Sequence, residues 1–185
     1  VFIDPLPHYY VQWRIMKNEH LYNHVIIFVD ADSCPKPLRA IMLKAVVKRN
    51  IPSVFVADRV LPDVVKVEQS HQKTPFLVKM VVVEKGDDSA DDALVEIATM
   101  GSLAITRDVI LADRLAAKGV TVLDDRGGVY TSENVKERLS IRNMMSELRE
   151  YNIYVEKTKP MGPKEIQLFA NALDREITKI EKQTF

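Results

Sequence analysis

Several short apolar runs in this sequence end on acidic residues, and carboxylates gathered in that way can hold a divalent cation. Asp30 and Asp32 follow the run Val25–Val29, in Val29-Asp30-Ala31-Asp32. Gly86-Asp87-Asp88-Ser89-Ala90-Asp91-Asp92 follows the run that ends at Val83. Thr106 and Asp108 follow Leu103–Ile105. In parallel α/β sheets ligands bind beyond the carboxyl ends of the strands. If the runs are parallel strands, Asp30, Asp32, Asp88, Asp91 and Asp108 point at one sheet edge. Two carboxylates about 4 Å apart repel by roughly 4 kcal/mol at an effective dielectric near 20. Either some of them are protonated or a hard cation neutralises them, and all-oxygen ligation suits Mg²⁺ or Mn²⁺. Such an ion activates water and stabilises a phosphoryl transition state. Each acidic segment also has a plainer reading. Asp88 and Asp91 at a helix start, Asp32 before Ser33, and Asp108 before Val109 are all suited to capping a helix. Capping does not explain why three separate strand ends carry them together.

Other chemistry finds little support. Neither G-x-x-x-x-G-K-[ST] nor G-x-G-x-x-G occurs, so the common phosphate loops are absent. Neither H-E-x-x-H nor C-x-x-C occurs, which argues against zinc. Cys34 follows the first acidic pair, where nearby anions raise rather than lower a thiol pKa. It reads as a small buried residue.

The elements that would position these carboxylates alternate. Val25–Val29, Ser53–Ala57, Phe76–Val83, Leu103–Thr106 and Val120–Leu123 read as buried strands. Leu38, Ile41, Met42, Ala45 and Val46 recur at helical spacing between the first two. Ala90–Met100 and Ile110–Lys118 read as helices, and two more follow near 133–151 and 163–182. Residues 61–75 read as a long polar connection. Alternating strands and helices indicate a mainly parallel sheet with helices on both faces.

The chain has 185 residues, enough for roughly one domain. Lys plus Arg and Asp plus Glu both number 26, so a strongly basic nucleic-acid binder is excluded as a whole-chain description. The single cysteine excludes an internal disulfide and favours a reducing, cytoplasmic setting. No apolar stretch approaches the length of a membrane span, and Asp4, His8 and Arg14 interrupt any signal-peptide core. Residues 1–24 lack periodicity and read as an extension to a domain at 25–185. They are either leader sequence up to about residue 15, with Met16 as the natural start, or an arm that packs on the domain. The sequence sets no oligomeric state.

With these residues in view, a resemblance emerges. Val29-Asp30-Ala31-Asp32-Ser33-Cys34-Pro35 resembles the V-D-A-D-A-C-P opening of the bacterial YaiI/YqxD family. The likeness continues through Gly86-x-Asp88-x-Ala90-Asp91, Thr106-x-Asp108 with Leu111-Ala112, Arg126-Gly127 with Tyr130-Thr131 and Asn134, Arg142, Leu148-Arg149, Gly162-Pro163 and Phe169-Ala170. It spans about Val25 to Leu173. Ser33 stands where the family usually has Ala, and Asp113 where it usually has a small residue. The resemblance implies a three-layer α/β/α PIN-like fold with extra C-terminal helices. It makes Asp30, Asp88, Asp91 and Asp108 the metal ligands and Asp32 a partner to them. Thr106 would orient a water. The implied reaction is metal-dependent phosphodiester hydrolysis, on RNA or another nucleic acid.

Substrate phosphates then need cations, and Arg107, Arg126, Arg138 and Arg142 are the candidates, with Lys36 and Arg39 near the first helix. Arg138, Arg142 and Arg149 share one helix face, which is also what an ordinary solvated face would show. The zero net charge predicts weak non-specific binding, hence a structured substrate or a partner that delivers one. Two other readings stand beside the nuclease. A haloacid-dehalogenase-type phosphatase would use Asp30 as nucleophile, Asp32 as acid, and Lys79 or Lys85 as the cation. A non-catalytic scaffold that binds RNA or protein would keep the acidic edge without cleaving.

Overall fold

A computed structural model describes residues 24–74, 76–86, 89–154 and 159–184. The expected N-terminal extension, apart from His24, and Asp88 lie outside the described residues. Six strands form one sheet: β1 Ile27–Asp30, β2 Ser53–Ala57, β3 Lys79–Val82, β4 Leu103–Ile105, β5 Thr121–Leu123 and β6 Val129–Tyr130. Their spatial order is β3-β2-β1-β4-β5-β6. All pairings are parallel except β5 with β6. The helices are α1 Lys36–Arg49, α2 Pro62–Ser70, α3 Ser89–Ile97, α4 Val109–Ala117, α5 Val135–Glu150 and α6 Pro163–Thr184.

Alternation along the strands builds two cores. Ile27 and Val29 of β1, Phe55 of β2, Met80 and Val82 of β3, and Leu103 and Ile105 of β4 face α1, α2 and α6. Phe28, Val54, Val56, Val81 and Ala104 face α3, α4 and Val135 of α5. The molecule is therefore the expected three-layer α/β/α sandwich. Both faces are covered, which is why the strands read as unbroken apolar runs.

Each helix has a visible local cause. In α1, Pro37 sits in the first turn, where its missing N–H costs nothing. Leu38, Met42 and Val46 form the buried stripe, and Asn50 ends the helix in the left-handed conformation at φ 53°. In α6, Phe169, Ala172, Leu173 and Ile177 are buried against the sheet. Arg49 of α1 ties α6 down, with Nη1 on Asp174 Oδ1 at 2.9 Å and Nη2 on Thr178 Oγ1 at 2.9 Å. Lys118, just after α4, donates to Ala98 O at 2.9 Å and to Val95 O, satisfying carbonyls left open at the end of α3.

Two expectations are corrected. Residues 61–75 are not a plain connection, because Pro62–Ser70 forms α2, docked through Val64. Val64 is the only residue of that helix that is fully buried, so the sequence offers a weak apolar stripe there. The strand β6 was not expected, since Gly127-Gly128 masks a two-residue pairing. No helix among the described residues is long and apolar enough to cross a membrane.

Candidate functional site

The sheet order reverses between β1 and β4, because the chain winds outward from β1 to β3 and then returns past β1 to β4. At such a switch point the loops beyond the two strands part and leave a crevice. Asp30 ends β1, and Thr106 directly follows β4. The crevice is a cavity of about 240 Å³ lined by Asp30, Asp32, Ser33, Asp58, Asp91 and Asp108, among others.

Asp30 is the buried member, 5% exposed. Its Oδ2 accepts from Thr106 Oγ1 at 2.7 Å and from Ser33 Oγ at 2.5 Å. The Ser33 departure from the family pattern thus places a second hydroxyl on the buried carboxylate. Thr106 also accepts from the Asp108 backbone N–H at 3.0 Å, so one hydroxyl joins the end of β1 to the start of α4. Its single proton goes to Asp30. Thr106 is therefore a bridge between the two segments, and its remaining lone pair is the one through which it would orient a water.

Asp108 is the N-cap of α4, its Oδ1 accepting from Ile110 N–H at 2.7 Å and Leu111 N–H at 3.3 Å. Here the capping reading and the convergent-edge reading hold together, since the cap also lines the cavity. Asp32 does not cap α1, whose N-terminus has no side-chain cap. Instead its Oδ2 accepts from Asp58 N–H at 2.6 Å, linking the loops after β1 and β2.

Asp58 was not singled out by sequence, although it directly follows the run Ser53–Ala57 and obeys the same strand-end rule. Asp32 Oδ1 and Asp58 Oδ1 are buried without a hydrogen-bond partner among the described residues. Arg59 Nη1 stands 3.5 Å from the first and 3.7 Å from the second. Desolvation pushes the Asp32 carboxyl above its usual range, and the neighbouring Asp58 charge adds to the rise.

Buried, hydrogen-bond-orphaned carboxylate oxygens beside further carboxylates are a donor set of hard oxygens, which fits Mg²⁺ or Mn²⁺. Among the described residues no group of three or more His, Cys, Asp or Glu closes around one point as a metal site. Asp30, Asp32, Asp58, Asp91 and Asp108 thus offer charge and donors without a closed shell.

A second cavity of about 270 Å³ adjoins the first through Asp108. Thr106, Arg107, Asp124, Asp125, Arg126, Tyr130 and Arg138 are among the residues that line it. Three of the four expected substrate-binding arginines meet here. Arg142 does not, being exposed on α5 with Nη1 on Asn143 Oδ1 at 3.2 Å. Asp124 organises this cavity. Its Oδ1 accepts from Arg126 N–H at 2.8 Å and Gly128 N–H at 2.7 Å, and its Oδ2 accepts from the Tyr130 hydroxyl at 2.7 Å. A Cβ on Gly128 would fall 2.6 Å from Asp124 Oδ2, so only glycine fits. Burial, together with that hydrogen bond, pushes the Tyr130 hydroxyl up to about 12, keeping it a donor. The R-G-x-x-Y-T motif is this loop.

Other expected residues have structural duties. Arg39 is buried, with Nε on Asp63 Oδ2 at 2.9 Å and Nη1 on Cys34 O at 2.9 Å, so it does not face a substrate. Lys79 begins β3, at the opposite end of the strand from the cavity, and pairs with Glu68 Oε1 at 2.7 Å. It is not the cation a phosphatase site would need. Burial pushes the Cys34 thiol up to about 12, in keeping with an inert core residue. Asp113, the other departure, pairs with Lys136 Nζ at 2.7 Å and joins α4 to α5.

Fold and site together define a doubly wound α/β protein with an acidic crevice at its switch point. Residues 28–179 match the model of the family described as Uncharacterized BCR, YaiI/YqxD family, and the chain belongs to that family. A UPF0178 protein of Pseudomonas fluorescens (strain Pf0-1) is 40% identical over 158 residues, covering 85% of this chain and 99% of the relative. UPF0178 proteins of Syntrophobacter fumaroxidans and Treponema denticola are 42% and 41% identical, covering 83% and 85% of this chain and 94% of each relative. No solved structure matches the chain.

Proposed function

We propose that the protein is a divalent-metal-dependent hydrolase of phosphodiesters, acting on RNA, with the acidic crevice as its centre. The observation that carries this reading is the convergence of Asp30, Asp32, Asp58, Asp91 and Asp108 on one cavity that also holds hydrogen-bond-orphaned oxygens. The likeness of the family to PIN-like nuclease folds supports the same conclusion. Asp88, expected from the sequence as a further ligand, belongs to the segment between β3 and α3.

Mg²⁺ or Mn²⁺ supplies Lewis acidity and neutralises developing charge in phosphoryl transfer. In this chain Asp30 would hold such an ion from the buried end of the crevice, kept in one orientation by the Ser33 and Thr106 hydroxyls. Asp108 and Asp91 would hold it from the starts of α4 and α3, where the helix dipoles favour negative charge. Burial raises the Asp32 carboxyl above its ordinary value, which makes it more readily protonated than an ordinary aspartate where the two loop carboxylates meet at Arg59. Arg107, Arg126 and Arg138 place positive charge beside the crevice, where the phosphate oxygens of a strand would lie.

A phosphatase would instead need Asp30 as nucleophile. Its Oδ2 already accepts two hydroxyl protons and the residue is 5% exposed, both of which blunt nucleophilic attack. The test is cleavage of end-labelled structured and single-stranded RNAs in Mn²⁺, with a phosphomonoester in parallel. The expected result is RNA cleavage that EDTA and Asp30→Asn both abolish, with the monoester untouched. Monoester hydrolysis alone would establish the phosphatase. RNA binding with no cleavage in any divalent ion would establish a non-catalytic scaffold.

A further inference from the structure

The arginine-lined cavity beside the crevice has unbalanced pairing. Two of its carboxylates are committed. Asp108 caps α4, and Asp124 accepts three hydrogen bonds from its own loop and Tyr130. The third, Asp125, is half-buried; burial and the neighbouring Asp124 charge disfavour its ionised form, and the Arg126 and Arg107 charges only partly offset them. The guanidiniums are not committed in the same way. Arg107 makes no hydrogen bond and no ion pair within 4.0 Å among the described residues, and it is exposed. Arg138 makes no ion pair within 4.0 Å among the described residues, and it lines the cavity beside the neutral Tyr130 hydroxyl. Arg126 alone is anchored, its Nη2 donating to Lys159 O at 2.6 Å.

These side chains come from separate elements. Arg107 lies between β4 and α4, Arg126 between β5 and β6, and Arg138 on the first turn of α5. The loop that carries Arg126 is fixed by the Asp124 hydrogen bonds. It is also fixed by Gly127, at φ +85°, where a Cβ would meet Leu168 O at 2.8 Å. Unpaired guanidiniums on a fixed frame are what a phosphate dianion or diester recognises, because their planar fork matches its oxygens. The two cavities meet at Asp108, so a phosphate in one lies next to a phosphate in the other.

We propose that the cavity lined by Arg107, Arg126 and Arg138 is a second-phosphate subsite that holds the phosphate adjacent to the one in the acidic crevice. The substrate is then a strand with at least two consecutive phosphates. This rests on the reading of the crevice as the site of phosphodiester cleavage. Arg107 and Arg138 grip the phosphate, and Arg126 is the positioning residue that closes the wall toward α6.

The test is fluorescence anisotropy with a labelled single-stranded RNA hexanucleotide in EDTA, across a range of salt. Wild type, Arg107→Gln, Arg138→Gln and Arg142→Gln are compared, with thermal melts to show that each is folded. Each of the first two variants is expected to lose about tenfold in affinity and to flatten the plot of log K against log salt by about 0.7, the share of one single-strand phosphate contact. Arg142→Gln, outside the cavity, is expected to match wild type. Wild-type affinity and slope in both Arg107→Gln and Arg138→Gln would overturn the subsite, as would a wild type that binds no RNA. A 5′-phosphorylated hexanucleotide separates the two phosphate sources. Tenfold tighter binding than the 5′-hydroxyl form assigns a terminal phosphate, and equal binding assigns an internal diester. Binding that follows this pattern without Mn²⁺-dependent cleavage refutes the hydrolase and leaves the subsite standing. Cleavage with unchanged binding in the arginine variants does the reverse.

Discussion

Asp32→Asn is expected to stabilise the protein in the absence of divalent ions. Asp32 Oδ2 accepts from the Asp58 N–H, and an asparagine carbonyl keeps that bond. What the substitution removes is the charge on a buried, hydrogen-bond-orphaned Oδ1. That oxygen and Asp58 Oδ1 lie 3.5 and 3.7 Å from the same Arg59 nitrogen. They are therefore within about 7 Å of one another, where two charges repel by about 2 kcal/mol at an effective dielectric near 20. The side chains of Asp32 and Asp58 are 24% and 37% exposed, so solvent and salt screen part of this. About 1 kcal/mol remains after that screening. Arg59 offsets little, because its side chain is 59% exposed and such pairs contribute weakly.

For a domain of this size, about 1 kcal/mol moves the melting temperature by roughly 2–4 °C. The sign with pH follows from the raised pKa of Asp32. A carboxyl whose folded pKa is raised adds stability while it is protonated, and that stability is lost as pH rises through the folded value. The variant's advantage is therefore present at neutral pH and shrinks as pH falls below the folded pKa of Asp32. Differential scanning calorimetry in EDTA reads the difference. Adding Mn²⁺ is expected to raise the wild-type melting temperature by mass action and to raise that of the variant less. A variant that melts below wild type in EDTA at neutral pH would refute the reasoning.

Thr106→Val removes the hydroxyl that donates to buried Asp30 and accepts from Asp108 N–H. Urea unfolding is expected to show a loss of about 1.5–3 kcal/mol, the range for a hydrogen bond to a charged group, with Thr106→Ser restoring most of it. Gly128→Ala drives a Cβ into Asp124 Oδ2 and the Tyr130 hydroxyl, and overpacking of this kind costs about 1–3 kcal/mol in the same assay. Arg39→Ala leaves Asp63 without the guanidinium at 2.9 Å and Cys34 O without its donor. Loss of one partner of a largely buried pair is expected to cost about 3 kcal/mol or more, read by thermal melting. Cys34 should react with a disulfide reagent at neutral pH far more slowly in the native protein than in urea, since burial holds the thiol pKa near 12.

The layered fold was legible because strands covered on both faces appear as unbroken apolar runs, and Val25–Val29 and Ser53–Ala57 are such runs. The helix Pro62–Ser70 was not, because it rests on the sheet through Val64 and turns polar residues outward. The acidic edge was legible in part. Asp30, Asp32 and Asp108 follow from the rule that strand ends face the ligand. Asp58 and Asp124 obey the same rule but sit in no recognisable motif, so pattern drew attention away from them. The arginines show where sequence reaches its limit. Arg39 and Arg107 look alike in one dimension, yet one is locked on Asp63 and the other opens on a cavity. That difference is set by how α2 and α5 pack, which no local spacing encodes. Asn134 is a similar case. Its amide bridges Thr131 N–H at 2.9 Å and Val129 O at 3.0 Å, and so aims α5 and Arg138 toward the cavity.

The most direct test of the account is Mn²⁺ titration calorimetry on wild type, Asp30→Asn and Asp108→Asn. Asparagine caps a helix about as well as aspartate, so Asp108→Asn keeps α4 while removing charge. Asp30→Asn keeps a carbonyl oxygen for the Ser33 and Thr106 hydroxyls. The account predicts that wild type binds Mn²⁺ and that each substitution weakens binding tenfold or more, because β1 and β4 deliver their carboxylates to one ion. A wild type that takes up no Mn²⁺ at millimolar concentration, or binding that survives both substitutions unchanged, would contradict it.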